Sequence, residues 1–158
     1  MTSRRRLATG LLLSLLLPFD ASADVALIVN PQNPETDLTA SDLKAIFRQE
    51  QQHWKSGGKI YLVLQEAGSP EKDLVLKRVY GLSDEELKQF WLGKLFRGEI
   101  ASFPHVAPSN ASAKRLVIHA ARALAFVDAS VVDGTVKVLR IDGRHPGDPG
   151  YLLATPSK

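Results

Sequence analysis

The sequence predicts one α/β domain with a small mixed sheet flanked by helices. Two observations carry this. Short apolar runs of strand length, such as Val25–Val29, Lys59–Leu64 and Leu124–Val127, alternate along the chain with segments of helical period. Between them lie loops marked by Gly, Pro, Asn and Ser, with no internal repeat in a chain of 158 residues.

The stretch that organises the chain is Lys59-Ile60-Tyr61-Leu62-Val63-Leu64, then Gln65 to Pro70, then Glu71 to Tyr80. The first part is nearly continuous in apolar character, as in a strand covered on both faces. Gly68 allows a sharp turn, Ser69 suits an N-cap and Pro70 suits the first helical position, where no N–H is needed. Val75/Val79 and Leu76/Tyr80 are i,i+4 pairs, and Gly81 ends the helix. A helix start presents free N–H groups and the positive end of its dipole, so an anion is favoured above this loop. On the residues alone, Ser69 either caps its own helix or also offers its hydroxyl to a ligand.

The chain's start reads as a secretory signal peptide over residues 1–23. Arg4-Arg5-Arg6 is a basic region, Leu7–Leu17 an apolar run too short for a comfortable membrane span, and Ala21-Ser22-Ala23 a small-residue cleavage site. Residues 24–158 then form the mature domain, and a periplasmic location follows. There is no cysteine, so neither a disulfide nor a thioether-linked lipid anchor is expected, and no membrane anchor. The formal charge of +3 falls on removing three arginines and Asp20 from 20 basic and 17 acidic residues: 17 and 16 remain, a net of +1. The basic residues are spread out, which gives no footprint for nucleic acid.

In the mature chain, Val25–Val29 predicts a buried strand stopped by Asn30-Pro31-Gln32-Asn33-Pro34. Thr39 caps a helix with Asp42 three residues on, Leu38 staples onto Leu43, and Leu43, Ile46 and Phe47 share its apolar face. The polar loop from Gln51 to Gly58 holds Trp54, expected to pack inward. Ser83-Asp84-Glu85-Glu86 is a capping box opening a helix to about Leu92, with Leu87, Phe90 and Trp91 on the buried side. Lys94–Gly98 reads as a turn with buried apolar residues, and Ser102–Asn110 as a proline-containing loop. A helix follows from Ser109 or Ser112 to about Ala121, with Leu116 and Val117 inward. Val136–Ile141 alternates as a further strand after Asp133-Gly134, and Tyr151-Leu152-Leu153 as a last short one. Asn110-Ala111-Ser112 matches a glycosylation sequon, of little weight in a bacterial-looking exported chain.

His53, His105, His119 and His145 are scattered without metal-ligand spacing, and no nucleophile elbow, P-loop or H-E-x-x-H motif is present. The chain is therefore expected to be non-catalytic, with no metal and no cofactor.

Together, Asn30-Pro31, Leu38-Thr39 with Leu43 and Ile46-Phe47, Trp54 with Gly57-Gly58, Leu62-Val63-Leu64, Gly68-Ser69 and Phe90-Trp91 stand in a telling order. So do Ala123–Val127, Asp142-Gly143 and Tyr151-Leu152. The chain resembles the phosphate-type periplasmic solute-binding proteins of ABC importers, which have the type II periplasmic binding-protein fold. That resemblance implies a loop of the form Arg-x-x-Gly-Ser-Gly-Thr holding phosphate through hydroxyls and backbone N–H groups. Gly68 and Ser69 match its Gly-Ser, whereas Pro70-Glu71 stand where Gly-Thr would be and Gln65 where the arginine would be. Lys72 is the nearby cation. The implied ligand is inorganic phosphate or a similar oxyanion, held by Gly68, Ser69, Glu71 and Lys72, with Ser41 and Asn30 facing them. The implied partners are envelope components or the membrane components of an importer. The family closes two lobes on its ligand and this chain offers about one, so two copies facing each other as a homodimer would complete the site. The alternative is an interaction or sensor-accessory module that keeps the fold and has lost phosphate binding.

Overall fold

A computed structural model describes residues 24–156; the predicted leader, residues 1–23, lies outside them. Strand β1 (Val25–Val29) is followed by a two-residue strand β2 (Asp37–Leu38) and helix α1 (Ala40–Phe47). Strand β3 (Tyr61–Gln65) leads into α2 (Pro70–Val75), which continues without a break into a π-turn over Leu76–Tyr80. Then come α3 (Asp84–Phe96), β4 (His105–Ala107), α4 (Asn110–His119), β5 (Ala123–Asp128) and β6 (Lys137–Ile141).

The six strands form one mixed sheet in the order β2-β6-β1-β5-β3-β4. β1 runs antiparallel to both of its neighbours, and every other pairing is parallel. So five strands point the same way, and their C-terminal ends lie along one rim. Three of them feed helices directly from that rim. Thr39, Ser69 and Ser109 each cap the helix that follows by accepting a backbone N–H three residues on.

Strand alternation splits the core into two layers. Val25, Leu27, Leu62, Leu64, Leu124 and Phe126 pack under α1, α2 and α3. Ala26, Val63, Ala123 and Ala125 line the other face, where they meet Ala113 and Val117 of α4. Small residues on that face let α4 lie close to the sheet. Phe47 and Tyr80 meet edge to face at 5.9 Å between ring centres, and the Tyr80 hydroxyl donates to Phe47 O at 2.9 Å. Trp54 packs inward as expected, 4% exposed, with its indole N–H donating to Arg122 O at 3.2 Å.

The structure departs from the sequence reading in four places. β2 takes in Leu38, read as the staple at a helix entry, and β4 lies inside a stretch read as loop; both are short and lean on the pairing energy of β6 and β3, which local sequence does not carry. α3 runs on to Phe96 rather than stopping at Leu92, and Phe96 is 84% exposed rather than buried. The segment Tyr151-Leu152-Leu153 is a turn, not a strand. It is still tied to the sheet, because Val25 N–H donates to Leu153 O at 3.0 Å and the Tyr151 hydroxyl donates to Val25 O at 2.8 Å.

Candidate functional site

The loop after β3 forms as its residues require. Gly68 has φ +86°, a left-handed value that side chains avoid. Ser69 is extended, and its Oγ accepts the Lys72 N–H at 3.2 Å. Pro70 takes the first helical position. The strand, glycine turn and helix start thus bring Gly68, Ser69, Glu71 and Lys72 together.

What fills the space above the loop is a set of side chains bonded to one another. Gln65, 3% exposed, donates through Nε2 to Phe126 O at 2.8 Å and to Asn110 Oδ1 at 2.7 Å. Asn110 Oδ1 also accepts the Asp128 N–H at 3.2 Å. A backbone N–H can only donate, so the oxygen of the Asn110 amide must face Asp128 and its nitrogen must face the other way. There Nδ2 donates to Glu71 Oε1 at 2.9 Å, and Glu71 is only 9% exposed. Glu71 lies in the first turn of α2 and Asn110 in the first turn of α4, so the carboxylate sits where both helix dipoles favour negative charge. The anion held here is the protein's own.

The one cation of the loop is committed elsewhere. Lys72 Nζ lies 2.8 Å from Asp84 Oδ1 at the start of α3, and its side chain is 11% exposed. That ion pair holds the Asp84 carboxyl below its ordinary range, against the opposing effect of burial. Lys72 therefore pins α2 to α3. Beside the network lies a hollow bordered by Pro70, Glu71, Asp73, Leu74, Lys77 and Asp128. Three carboxylates against one ammonium make it unfavourable for an incoming oxyanion.

The other two predicted residues do not converge on this loop. Asn30 follows β1, whose C-terminal end lies at the opposite rim from Ser69. Its side chain donates to Val117 O at 3.2 Å and Ile118 O at 2.8 Å, and accepts the Gln32 N–H at 2.9 Å, which ties down the last turn of α4. Ser41, exposed in the first turn of α1, is at the right rim but follows β2, four strand positions from β3. At the usual strand spacing that is roughly 19 Å away. Sequence reasoning missed Asn110, which is the centre of the network; its only local signal was an unused sequon.

Among the described residues no group of three or more His, Asp or Glu is placed to hold a metal ion, and no helix is long and apolar enough to cross a membrane.

No protein-family model and no curated protein matches the chain. Solved structures do. One, from Clostridium perfringens, is described as a phosphate ABC transporter substrate-binding protein with bound phosphate; it aligns at a TM-score of 0.64 and 26% identity over 78% of this chain. The fold is that of phosphate-type solute-binding proteins. An ABC-type phosphate transport receptor from Vibrio cholerae aligns with the same three values, and PstS from Borrelia burgdorferi at 0.61 and 16% identity, again over 78%. The chain spans 46%, 48% and 49% of those three proteins, about half of a solute-binding protein in each case. These neighbours are binding proteins rather than enzymes.

Proposed function

We propose that this chain is a non-catalytic recognition domain of the phosphate solute-binding type, exported to the periplasm after removal of residues 1–23. In this reading it has given up phosphate capture at the start of α2 and serves by docking on an envelope protein or an importer's membrane component. One observation carries it. The side chains standing where arginine and threonine would meet phosphate, Gln65 and Glu71, are joined through Asn110 into a closed network with a built-in carboxylate. Phosphate would have to displace Glu71 and approach Asp73 and Asp128, with Lys72 held by Asp84.

A second reading has its own support: one structure aligned at 26% identity carries bound phosphate. It keeps phosphate as the ligand of Gly68, Ser69, Glu71 and Lys72, with two copies closing the site. Calorimetric titration of residues 24–158 with phosphate at low salt, with sulfate as control, separates the two. The first reading expects no selective heat up to millimolar phosphate. Selective, saturable heat with one site per chain or per two chains overturns it. N-terminal mass determination of the periplasmic form tests the leader: a start at Asp24 is expected, and an uncleaved chain refutes export by this route.

A further inference from the structure

The far edge of the sheet is a short open strand. Among the described residues β4 pairs with β3 alone, so its other side is unpaired there. Ala107 O accepts the Glu66 N–H at 3.2 Å, which sets the parallel register. In that register His105 and Ala107 turn their backbone groups toward β3, and Val106 turns both of its groups outward. Pro104 and Pro108 flank the strand and have no N–H to offer. The edge can therefore hold a short strand at Val106 yet cannot extend a sheet indefinitely.

The two faces beside this edge differ in chemistry. Val106 lies opposite Leu64 on the α3 side, bordering a groove of about 420 Å³ with Leu87, Trp91, Leu92 and Phe103. Val106, Phe103 and Leu92 are 47%, 48% and 38% exposed, unusual for such side chains and clustered in one place. The indole N–H of Trp91 is buried and has no hydrogen-bond partner among the described residues. On the α4 side, His105 stacks on Tyr61 with ring centres 6.1 Å apart. It borders a smaller hollow whose other walls include Arg115, Leu116 and His119. Arg115 and His119 are one turn apart on α4, and neither joins an ion pair among the described residues.

We propose that β4 is a docking edge for an extended segment of a partner protein in which apolar and acidic side chains alternate. A strand added at Val106 sends successive side chains to opposite faces. Apolar ones enter the Trp91–Leu92–Phe103 groove, and carboxylates meet Arg115, His119 and His105. A second copy of this chain is the poorer occupant, because its own β4 brings the same Arg115 guanidinium and no carboxylate to that hollow. The inference rests on the recognition reading above and names the surface and the partner chemistry.

The test is fluorescence anisotropy of the mature chain with two labelled peptides, one alternating leucine or phenylalanine with glutamate, the other with lysine in place of glutamate. The acidic peptide should bind at least about tenfold more tightly, the equivalent of one unfavourable charge contact. Arg115→Glu should reverse the preference. Leu92→Asp and Val106→Pro should each weaken the acidic peptide several-fold, with folding checked by circular dichroism. Absence of saturable binding, equal affinity for both peptides, or indifference to Arg115→Glu overturns the proposal. So does a dimer in sedimentation that Val106→Pro dissolves, since it would make a second copy the occupant. Phosphate calorimetry is read separately. A peptide failure with phosphate still silent removes this edge only, whereas selective phosphate heat removes the recognition reading.

Discussion

Replacing Asn110 with alanine gives the sharpest test of the network. Three interactions are lost together: the bonds to the Glu71 carboxylate at 2.9 Å, from Gln65 at 2.7 Å and from the Asp128 N–H at 3.2 Å. Gln65 keeps Phe126 O at 2.8 Å, so its loss is partial. A bond to a charged group contributes about 1.5–3 kcal/mol and a neutral one about 0.5–1.5 kcal/mol. Asn110 itself is only half-buried, so water can replace part of what is removed. The expected loss is about 3 kcal/mol. With a urea slope of about 1–3 kcal/mol per molar, the midpoint should fall by about 1–3 M. Trp54 and Trp91, buried in the same core cluster, give the fluorescence signal. Asn110→Asp adds a check that simple packing loss would not move. It sets a second carboxyl against Glu71, raising the folded-state pKa of the pair, and a raised carboxyl pKa means stability regained as pH falls. Asn110→Asp should therefore be at least as unstable as Asn110→Ala at pH 7 and recover relative to it near pH 4. A loss below about 0.5 kcal/mol for Asn110→Ala would mean that the network is not a cross-link, and the argument that Glu71 holds the seat would fail with it.

Other consequences are simpler. Ser69→Ala should cost about 1 kcal/mol through the lost cap on Lys72 N–H, and the same loss should appear with and without phosphate in thermal melts. Gly81→Ala should cost about 1 kcal/mol in urea unfolding, because Gly81 ends the π-turn at φ +64°. The Tyr80 and Tyr151 hydroxyls are pushed well above their ordinary value of 10.0, chiefly by burial. A raised acid pKa gives stability that is full below the unfolded value and lost as pH rises past it. Stability should thus decline above about pH 10, with Tyr80 and Tyr151 ionising only as the chain unfolds, followed by phenolate absorbance. Asp84 works in the opposite direction. Its carboxyl is held below 3.8 chiefly by Lys72, with Lys88 beside it, so its contribution is present above that value and fades as pH falls below it, and Lys72→Met should shrink this acid limb of the stability profile.

Much of the architecture was legible because local and global signals agreed. The caps at Thr39, Ser69 and Ser83, the glycine stops and the continuous apolar run of β3 each name their own structure from a few neighbouring residues. β2 and β4 were not legible, because two or three residues become a strand only when another strand supplies the partner. Phe96 was read as buried on its residue type, yet its position on α3 points it away from the sheet. The site divides the same way. The turn at Gly68-Ser69 is a matter of local backbone, whereas the bond between Glu71 and Asn110 joins residues 39 positions apart. Asn30 entered the site only through the family resemblance, as a residue expected to face the loop. The reversed direction of β1 sends it to the opposite rim, where it holds the end of α4.

The exchanges at Gln65 and Glu71 make sense only as a pair. An arginine at Gln65 would be a buried guanidinium beneath Phe126 O and would need an anion to neutralise it, which is what a phosphate site provides. A glutamate alone at Glu71 would leave a nearly buried carboxylate with only helix amides for company. With glutamine and glutamate together, and Asn110 between them, the amide of Gln65 is satisfied without a ligand and the carboxylate has a donor without one. The rim that gathers the starts of α2 and α4 stays assembled whether or not an anion arrives. A domain held this way does not need solute to finish folding, and its rigidity is available to β4, the neighbouring edge strand that runs into α4. That leads to a reciprocal test. Glu71→Thr removes the internal anion and should lower stability by about 1–2 kcal/mol in urea unfolding. If millimolar phosphate restores part of that loss while sulfate does not, the seat is an oxyanion site that Glu71 has closed. If neither salt restores it, the rim has lost the geometry of an anion site altogether, and the Glu71 carboxylate serves only as a strut between two helices.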